Sequence, residues 1–476
     1  MTGGWSDLVG SSMVTVPRVV FLVALACMIA AAGGRPSAAL AVGDVPPVHP
    51  NVLVFVSDDQ SRRTVTRAVM PTVYRVMVAG GRTYPGFTVT DPLCCPSRAS
   101  IMTGRFNHNN RVLSNDTRTP LNIDIRSTIQ CYLHDAGYAT ALYGKFLNHF
   151  PLSFDQPCLS DYAINPGQRH SEVDVSVNGT IVRPPGWIDE FDLDRASRFL
   201  DRGERRDRRP WYLYFSDSYP HSPYVPRPEH ANDVIAPPPG TIGPAVGEAD
   251  VSDKPIFVQQ NGGATRTNQT IENELRMLRT VDEHFALLIA RLRADGELPY
   301  TLIVYISDNG YLFGEHDLWG KSTPYSEAIN VPFMLRWPGH VPAGTVARRN
   351  AQNIDIAPTI VHAAGISPAL RYPYDGRSLL RRWSRPTILT ESFHPKWEVS
   401  RARWQPSWRS IRTRAYQYVE WRQGTLITRE YYDLRSDPHQ LVNLLGNGTH
   451  ADDPQHLRAL HALVVDYAHC AGRTCR

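Results

Sequence analysis

The chain has 476 residues, 42% of them apolar and 20% charged, and a formal net charge of +4. That composition excludes a disordered chain, and so small a positive charge excludes the strong basic field of a nucleic-acid binder. The length suits one large α/β domain with an appendage. Arginine supplies nearly all the positive charge, so the few lysines, Lys145, Lys254, Lys321 and Lys396, stand out.

At the N-terminus, Arg18 precedes an apolar run from Val19 to Ala32, and Ala39-Leu40-Ala41 offers an A-x-A cleavage site. This pattern predicts a secretory signal over residues 1–41, too short in its apolar part for a comfortable membrane span. No later stretch reaches membrane length, so the expectation is an exported protein without stable membrane insertion. Cys27 falls in the signal. In an oxidising compartment Cys131 and Cys158, and Cys470 and Cys475, are candidate disulfides, which leaves the neighbours Cys94 and Cys95. Asn115, Asn178, Asn268 and Asn447 stand in glycosylation sequons.

Asn51 to Ser57 is a continuous β-branched apolar run, read as a strand buried on both faces, and it ends in Asp58-Asp59. Met70 to Val78 is a weaker helical stretch. Pro92 to Gly104 (PLCCPSRASIMTG) reads as a turn and a helix, with Pro96 suited to a first helical position. A thiol at such a start faces the positive helix end, which favours thiolate and attracts anions. A helix follows from Ser127-Thr128 to Ala136, stopped by Gly137, and then a strand over Ala139 to Tyr143 that ends at Gly144-Lys145. Residues 151–185 read as an irregular loop. Asp189 to Leu200 resembles a helix, and Trp211 to Phe215 a strand leading through Ser216 to Pro220-His221-Ser222-Pro223.

Residues 222–266 are rich in Pro, Gly and Asp, as a substrate-wall loop would be. Leu275, Leu278, Val281, Phe285, Leu288 and Leu292 recur at three and four, which predicts a helix ended by Asp295-Gly296. It feeds a buried strand, Thr301 to Ile306, that ends in Ser307-Asp308-Asn309-Gly310. This strand–helix–strand order is a βαβ unit. Val331 to Trp337 is a further strand and Asp355 to Ala364 a helix. From about Arg371 the chain is Arg- and Trp-rich, read as a small antiparallel sheet closed by a helix within 454–469. Its segment 396–421, with the Pro-rich loop, reads either as a cleft lining, Arg for anionic sugars and Trp for stacking on pyranose faces, or as a solvated surface over core tryptophans.

Two buried strands thus end alike, in Val56-Ser57-Asp58-Asp59 and Ile306-Ser307-Asp308-Asn309. Ligands of open α/β sheets collect at the carboxyl ends of strands. Asp58, Asp59, Asp308 and Asn309 would meet there as a set of hard oxygens suited to Ca²⁺ or Mg²⁺ rather than Zn²⁺, with several protein ligands favouring Ca²⁺. Cys94, Lys145 and Lys321 also lie at element ends.

The stretch Cys94-x-Pro96-Ser97-Arg98 with Thr103-Gly104 resembles the signature of type I sulfatases. The likeness extends through VSDD, GK at 144–145, PHSP at 220–223, SDNG at 307–310, GKS at 320–322 and YDLRSDPHQLVNL at 432–444, from Asn51 to about Leu445. CCPSRAS, GKFLN and PHSPY look closest to the N-acetylglucosamine-6-sulfatase and arylsulfatase branch. The resemblance implies an α/β fold of the alkaline phosphatase type, a mixed sheet flanked by helices, with a catalytic domain over 42–370 and a smaller C-terminal domain over 371–476.

In that family the Cys at position 94 is oxidised to formylglycine by a formylglycine-generating enzyme during maturation. A hydrated aldehyde carries two hydroxyls on one carbon: one attacks the sulfur, and the other loses its proton to expel sulfate. By the same resemblance Asp58, Asp59, Asp308 and Asn309, with residue 94, hold the metal. Arg98 holds the hydrate, Lys145 and Lys321 clamp the sulfate oxygens, and His221 protonates the leaving alcohol. Where many sulfatases have a His two residues after the first clamp lysine, this chain has Leu147, then Asn148 and His149. Asn148, His149 and His316 are therefore secondary candidates. Cys95 reads as packing. The implied substrate is a sulfated carbohydrate or aryl sulfate. The rival readings are a phosphonate monoester hydrolase or phosphodiesterase with the same machinery, and a non-catalytic sulfated-glycan binding protein with an unmodified Cys94.

Overall fold

The structure, a computed structural model, describes residues 49–475 apart from 168, 206–208, 239–243, 261–267, 395–404 and 452. The predicted signal and Lys396 lie outside the described residues. Among the described residues no helix is long and apolar enough to cross a membrane.

The run NVLVFVS forms the strand Asn51–Ser57, buried at every position. It sits inside a ten-stranded mixed sheet. Its parallel neighbours are Trp211–Ser216 on one side and Thr301–Ser307 on the other, so it lies between the two strands of the expected βαβ unit. Ala139–Lys145 and Asp161–Asn165 continue the parallel block, and Phe333–Arg336 runs antiparallel against Thr301–Ser307. Alternation along the central strand feeds two cores. Val52, Val54 and Val56 pack under the helices Cys94–Thr103, Ile129–Asp135 and Ile356–Ala363. Leu53 and Phe55 pack under Ile188–Arg205 and Asn268–Ala294. Phe55 anchors the second core: its ring centroid is 5.2 Å from Phe215, 5.3 Å from Phe285 and 5.4 Å from Tyr305. Each such aromatic pair adds about 0.5–1.5 kcal/mol beyond area burial.

A separate antiparallel sheet is built from Ile388–Ser392, Ser407–Arg412, Tyr416–Gln423 and Leu426–Asp433, followed by the helix Leu457–Tyr467. Cys131 is bonded to Cys158 and Cys470 to Cys475; Cys94 and Cys95 are free.

Three expectations change. Residues 151–185 are not all loop: Asp161–Asn165, Val175–Val177 and Thr180–Val182 extend the large sheet. These strands are three to five residues long, too short for an alternation to announce them. Pro96 is the third residue of its helix, because Leu93 rather than Cys95 is the N-cap. Trp408 and Trp421 do not line a cleft. They are a cross-strand pair, each 1% exposed, with Phe257 packed 4.2 Å from the Trp421 ring.

Candidate active site

The strands Asn51–Ser57 and Thr301–Ser307 run in register to their last residues, Ser57 opposite Ser307. The side chains that follow therefore emerge side by side. The Asp308 N–H donates to the Ser57 carbonyl at 3.0 Å, and the Asp59 N–H to Asp308 Oδ1 at 3.2 Å. Asp58, Asp59 and Asp308 are buried and offer oxygens within 4.8 Å of one another. Asn309 Nδ2 donates to Asp59 Oδ1 at 2.6 Å and to the Gly310 carbonyl at 2.8 Å. Its Oδ1 is buried and has no hydrogen-bond partner. A buried polar atom left so costs about 1–3 kcal/mol. Three carboxylates and an orphaned amide oxygen fit a hard divalent cation.

The helix Cys94–Thr103 sets Cys94 and Arg98 four residues apart, on one face. Cys94 Sγ lies 3.9 Å from Asp58 Oδ1 and 3.0 Å from Lys321 Nζ. Burial pushes the thiol up, against the pull of Lys145 and Lys321. The expected thiolate at the helix start is thus corrected: desolvation outweighs the nearby positive charges. Arg98, wholly buried, donates from Nε to Asp308 Oδ2 at 2.8 Å and from Nη1 to the Lys145 carbonyl at 2.9 Å and to Ser216 Oγ. Its Nη2, 3.6 Å from Asp58 Oδ2, has no hydrogen bond. Burial works against the guanidinium charge, but Asp308 and Asp58 hold it well above the ordinary range.

Lys145 ends its strand fully buried and bonds Asp58 Oδ2 through Nζ. Two glycines make room there. A Cβ on Gly144 (φ +103°) would lie 1.9 Å from the Ser216 carbonyl oxygen, and one on Gly167 2.1 Å from Lys145 Cδ. Lys321 bonds Asp59 Oδ1. Burial opposes both lysine charges, yet Asp58 keeps Lys145, and Asp59 keeps Lys321, above the usual range. Conversely, burial would raise Asp58 and Asp59, but Lys145 and Lys321 respectively, with His221, hold them below theirs. His221 Nε2 lies 3.7 Å from Asp59 Oδ2, and its Nδ1 2.6 Å from the Ser222 carbonyl. A carbonyl only accepts, so Nδ1 carries the proton and Nε2 is the exchanging nitrogen.

The secondary candidates meet other partners. The Asn148 N–H donates to Cys95 Sγ at 3.0 Å, so Asn148 touches Cys95 rather than Cys94. His149 is exposed, with φ 58°. His316 is buried, its Nδ1 2.8 Å from Glu248 Oε2 and its ring tilted against Tyr325 with centroids 4.0 Å apart.

Sequence reasoning gave no role to Ser216 or Asp217 and left Trp408 undecided between cleft and core. Asp217 braces the turn that carries His221: its N–H donates to the Val56 carbonyl, and its carboxylate accepts from the Tyr219 N–H at 2.9 Å and meets His284 Nδ1 at 2.8 Å. The signal was present, because Phe215-Ser216-Asp217 repeats the ending of the other two strands. Trp408 Nε1 donates to the Ser322 carbonyl at 2.8 Å, and the Ser322 N–H to the Pro92 carbonyl at 3.0 Å. Those bonds pin the Lys321 loop between the second sheet and the Cys94 turn.

Comparison with known proteins agrees with this geometry. Residues 50–366 match the sulfatase family model, and residues 314–463 the model of the N-sulphoglucosamine sulphohydrolase C-terminal region. An extracellular sulfatase Sulf-1 homologue of Caenorhabditis elegans is 31% identical over 350 residues, 69% of this chain and about half (48%) of that protein's length. The N-acetylglucosamine-6-sulfatase of Capra hircus is 27% identical over 495 residues, 90% of this chain and 85% of its own. A solved protein in complex with its substrate, D-glucosamine-2-N,6-O-disulfate, shares the fold at a TM-score of 0.75 and 20% identity, over 88% of this chain and 97% of that one. With one family model spanning the large sheet and its carboxyl-end cluster, and a second spanning the small sheet, the chain belongs to the sulfatase family.

Proposed function

We propose that the chain hydrolyses sulfate monoesters of a carbohydrate, using formylglycine made from Cys94 and a divalent cation held by Asp58, Asp59, Asp308 and Asn309. One observation carries this reading: Cys94 Sγ lies between Lys321 Nζ and Asp58, whose neighbour Asp59 accepts from the Asn309 amide that has an orphaned oxygen. The sugar class is supported by what two similar proteins are named for, an N-acetylglucosamine-6-sulfatase and a protein bound to a sulfated glucosamine.

When bound, the cation would neutralise sulfate charge and make a hydroxyl on residue 94 more acidic; Ca²⁺ suits the donor set. As formylglycine, residue 94 would supply the hydrated aldehyde. Lys145 and Lys321 each spend donors on one carboxylate and keep others for sulfate oxygens, since an ammonium has three. The free Nη2 of Arg98 orients residue 94. His221, its Nδ1 fixed by the Ser222 carbonyl, gives the Nε2 proton to the departing alcohol oxygen. Maturation by a formylglycine-generating enzyme precedes burial of the Cys94 helix, and the N-terminal signal over residues 1–41 exports the chain.

The test is the mass of the peptide carrying residue 94, with turnover of nitrophenyl sulfate beside phenyl phosphonate. The expected result is a peptide lighter by about the mass of one water and a preference for the sulfate. An unmodified thiol in active protein, or a marked preference for the phosphonate, would overturn the reading.

A further inference from the structure

Between the large sheet and the small one lies a cavity of about 270 Å³, lined by Arg62, Arg63, Arg412 and Arg414 against Glu315 and Glu327. No residue of the Cys94 cluster lines it. It is nonetheless close: Arg62 follows Asp59 by three residues, a chain length of at most about 11 Å. Arg62 and Arg412 are held in place by neutral acceptors. Arg62 Nη1 donates to the Pro85 carbonyl at 2.8 Å, and Arg412 Nη1 to Gln417 Oε1. Gln417 is itself held by the Pro324 carbonyl, 2.6 Å from its Nε2. Neither arginine forms an ion pair among the described residues. Glu327, the acid that both feel, is 3.9 Å from His316 Nε2. Burial and the charge of Arg62 push Arg412 down to about 10, against the pull of Glu327.

Two half-buried guanidinium groups without a carboxylate partner form an arrangement that an oxyanion completes. The lining also continues outward. Asn350, Thr413 and Arg414 are shared with a second hollow that carries Arg348 and Arg349. A single small anion would leave that extension unused, whereas a chain bearing repeated negative charges would follow it.

We propose that this cavity is a second anion subsite, taking a sulfate or carboxylate group of an anionic sugar chain whose ester end reaches Cys94. The identity of the ester rests on the sulfatase reading; binding at the cavity does not. The subsite makes chain substrates better than small esters.

The experiment measures binding of a heparin-derived tetrasaccharide and of inorganic sulfate to the full chain, and kcat/KM for the tetrasaccharide and for nitrophenyl sulfate. Arg62→Gln, Arg412→Gln and the exposed Arg414→Glu are compared with the unaltered protein. Each of the first two is expected to weaken tetrasaccharide binding about tenfold, the scale of one charge-assisted hydrogen bond. Tetrasaccharide kcat/KM should fall further than that for nitrophenyl sulfate. Arg414→Glu keeps the test open if the half-buried variants fail to fold, and it should weaken the tetrasaccharide in the same direction. Equal losses on the two esters, or unaltered tetrasaccharide binding in the variants that fold, would overturn the proposal. So would tetrasaccharide binding no tighter than inorganic sulfate. If the unaltered protein cleaves no sulfate ester, the sulfatase reading fails, and the binding measurements still decide the subsite.

Discussion

The indole Nε1 of Trp408 donates to the Ser322 carbonyl at 2.8 Å, so the small sheet holds the loop that carries Lys321. Trp408→Phe removes the donor and part of the buried indole. Gln405 Nε2 also reaches that carbonyl, so the loop is loosened rather than freed. The lost bond is worth about 0.5–1.5 kcal/mol. We expect kcat for nitrophenyl sulfate to fall by about threefold to tenfold, and the thermal midpoint to fall with the lost bond and the lost buried atoms. Unfolding and steady-state kinetics on the same preparation check both halves.

Lys145 and Lys321 hold opposite carboxylates, Asp58 and Asp59. Lys321→Ala should lower kcat by about 10²–10³, the loss measured when one preorganised donor is removed. Gly167→Ala tests Lys145 without touching its charge, because the added methyl would meet the lysine stem at 2.1 Å. It should lower kcat while the peptide at residue 94 stays modified, which mass measurement reads.

Arg98 is enclosed with Asp308 and Asp58. Arg98→Met leaves both carboxylates without it in a buried site. Breaking such a pair from one side costs about 3–5 kcal/mol. A drop of that size in urea-unfolding free energy is expected, smaller when a divalent cation is supplied.

Asp58 and Asp59 are held below the ordinary carboxylate range, so they are charged at neutral pH and ready for a cation. A cation that binds only the folded chain adds about 2.7 kcal/mol at a hundredfold excess over its Kd. Ca²⁺ should raise the thermal midpoint and chelation lower it. Asp308→Asn should blunt the response. An identical midpoint with and without divalent cations would count against the site.

His108 and Glu391 tie the Cys94 half of the chain to the small sheet, Nδ1 to Oε1 at 2.7 Å. Burial opposes the His108 charge, but Glu391 raises it above its ordinary 6.5. Burial likewise opposes the Glu391 charge, but His108 lowers it below its ordinary 4.5. The histidine contribution is complete below pH 6.5 and is lost as pH rises through its raised value. The glutamate contribution is complete above pH 4.5 and is lost as pH falls through its lowered value. The pair therefore contributes most between them. His108→Gln should flatten the alkaline side of the urea midpoint plotted against pH.

The sequence by itself determined the parallel core and the two acidic strand ends. Unbroken β-branched runs can only be buried on both faces, and polar residues after them must lie at a sheet edge. It also marked Cys94 and Arg98, which are local to one helix, and both cysteine pairs. Tertiary structure decided the rest. Which lysine meets which carboxylate depends on strand order: Lys145 lies two strands from Asp58, across Trp211–Ser216. The short strands in 151–185 form because neighbouring strands pair with them, not because of their own pattern. Trp408 and Trp421 are core because their strands pair in register, which places one indole on the Lys321 loop. Gly167 and the arginine-lined cavity have no local signature at all. Each exists only where distant segments close around the same space.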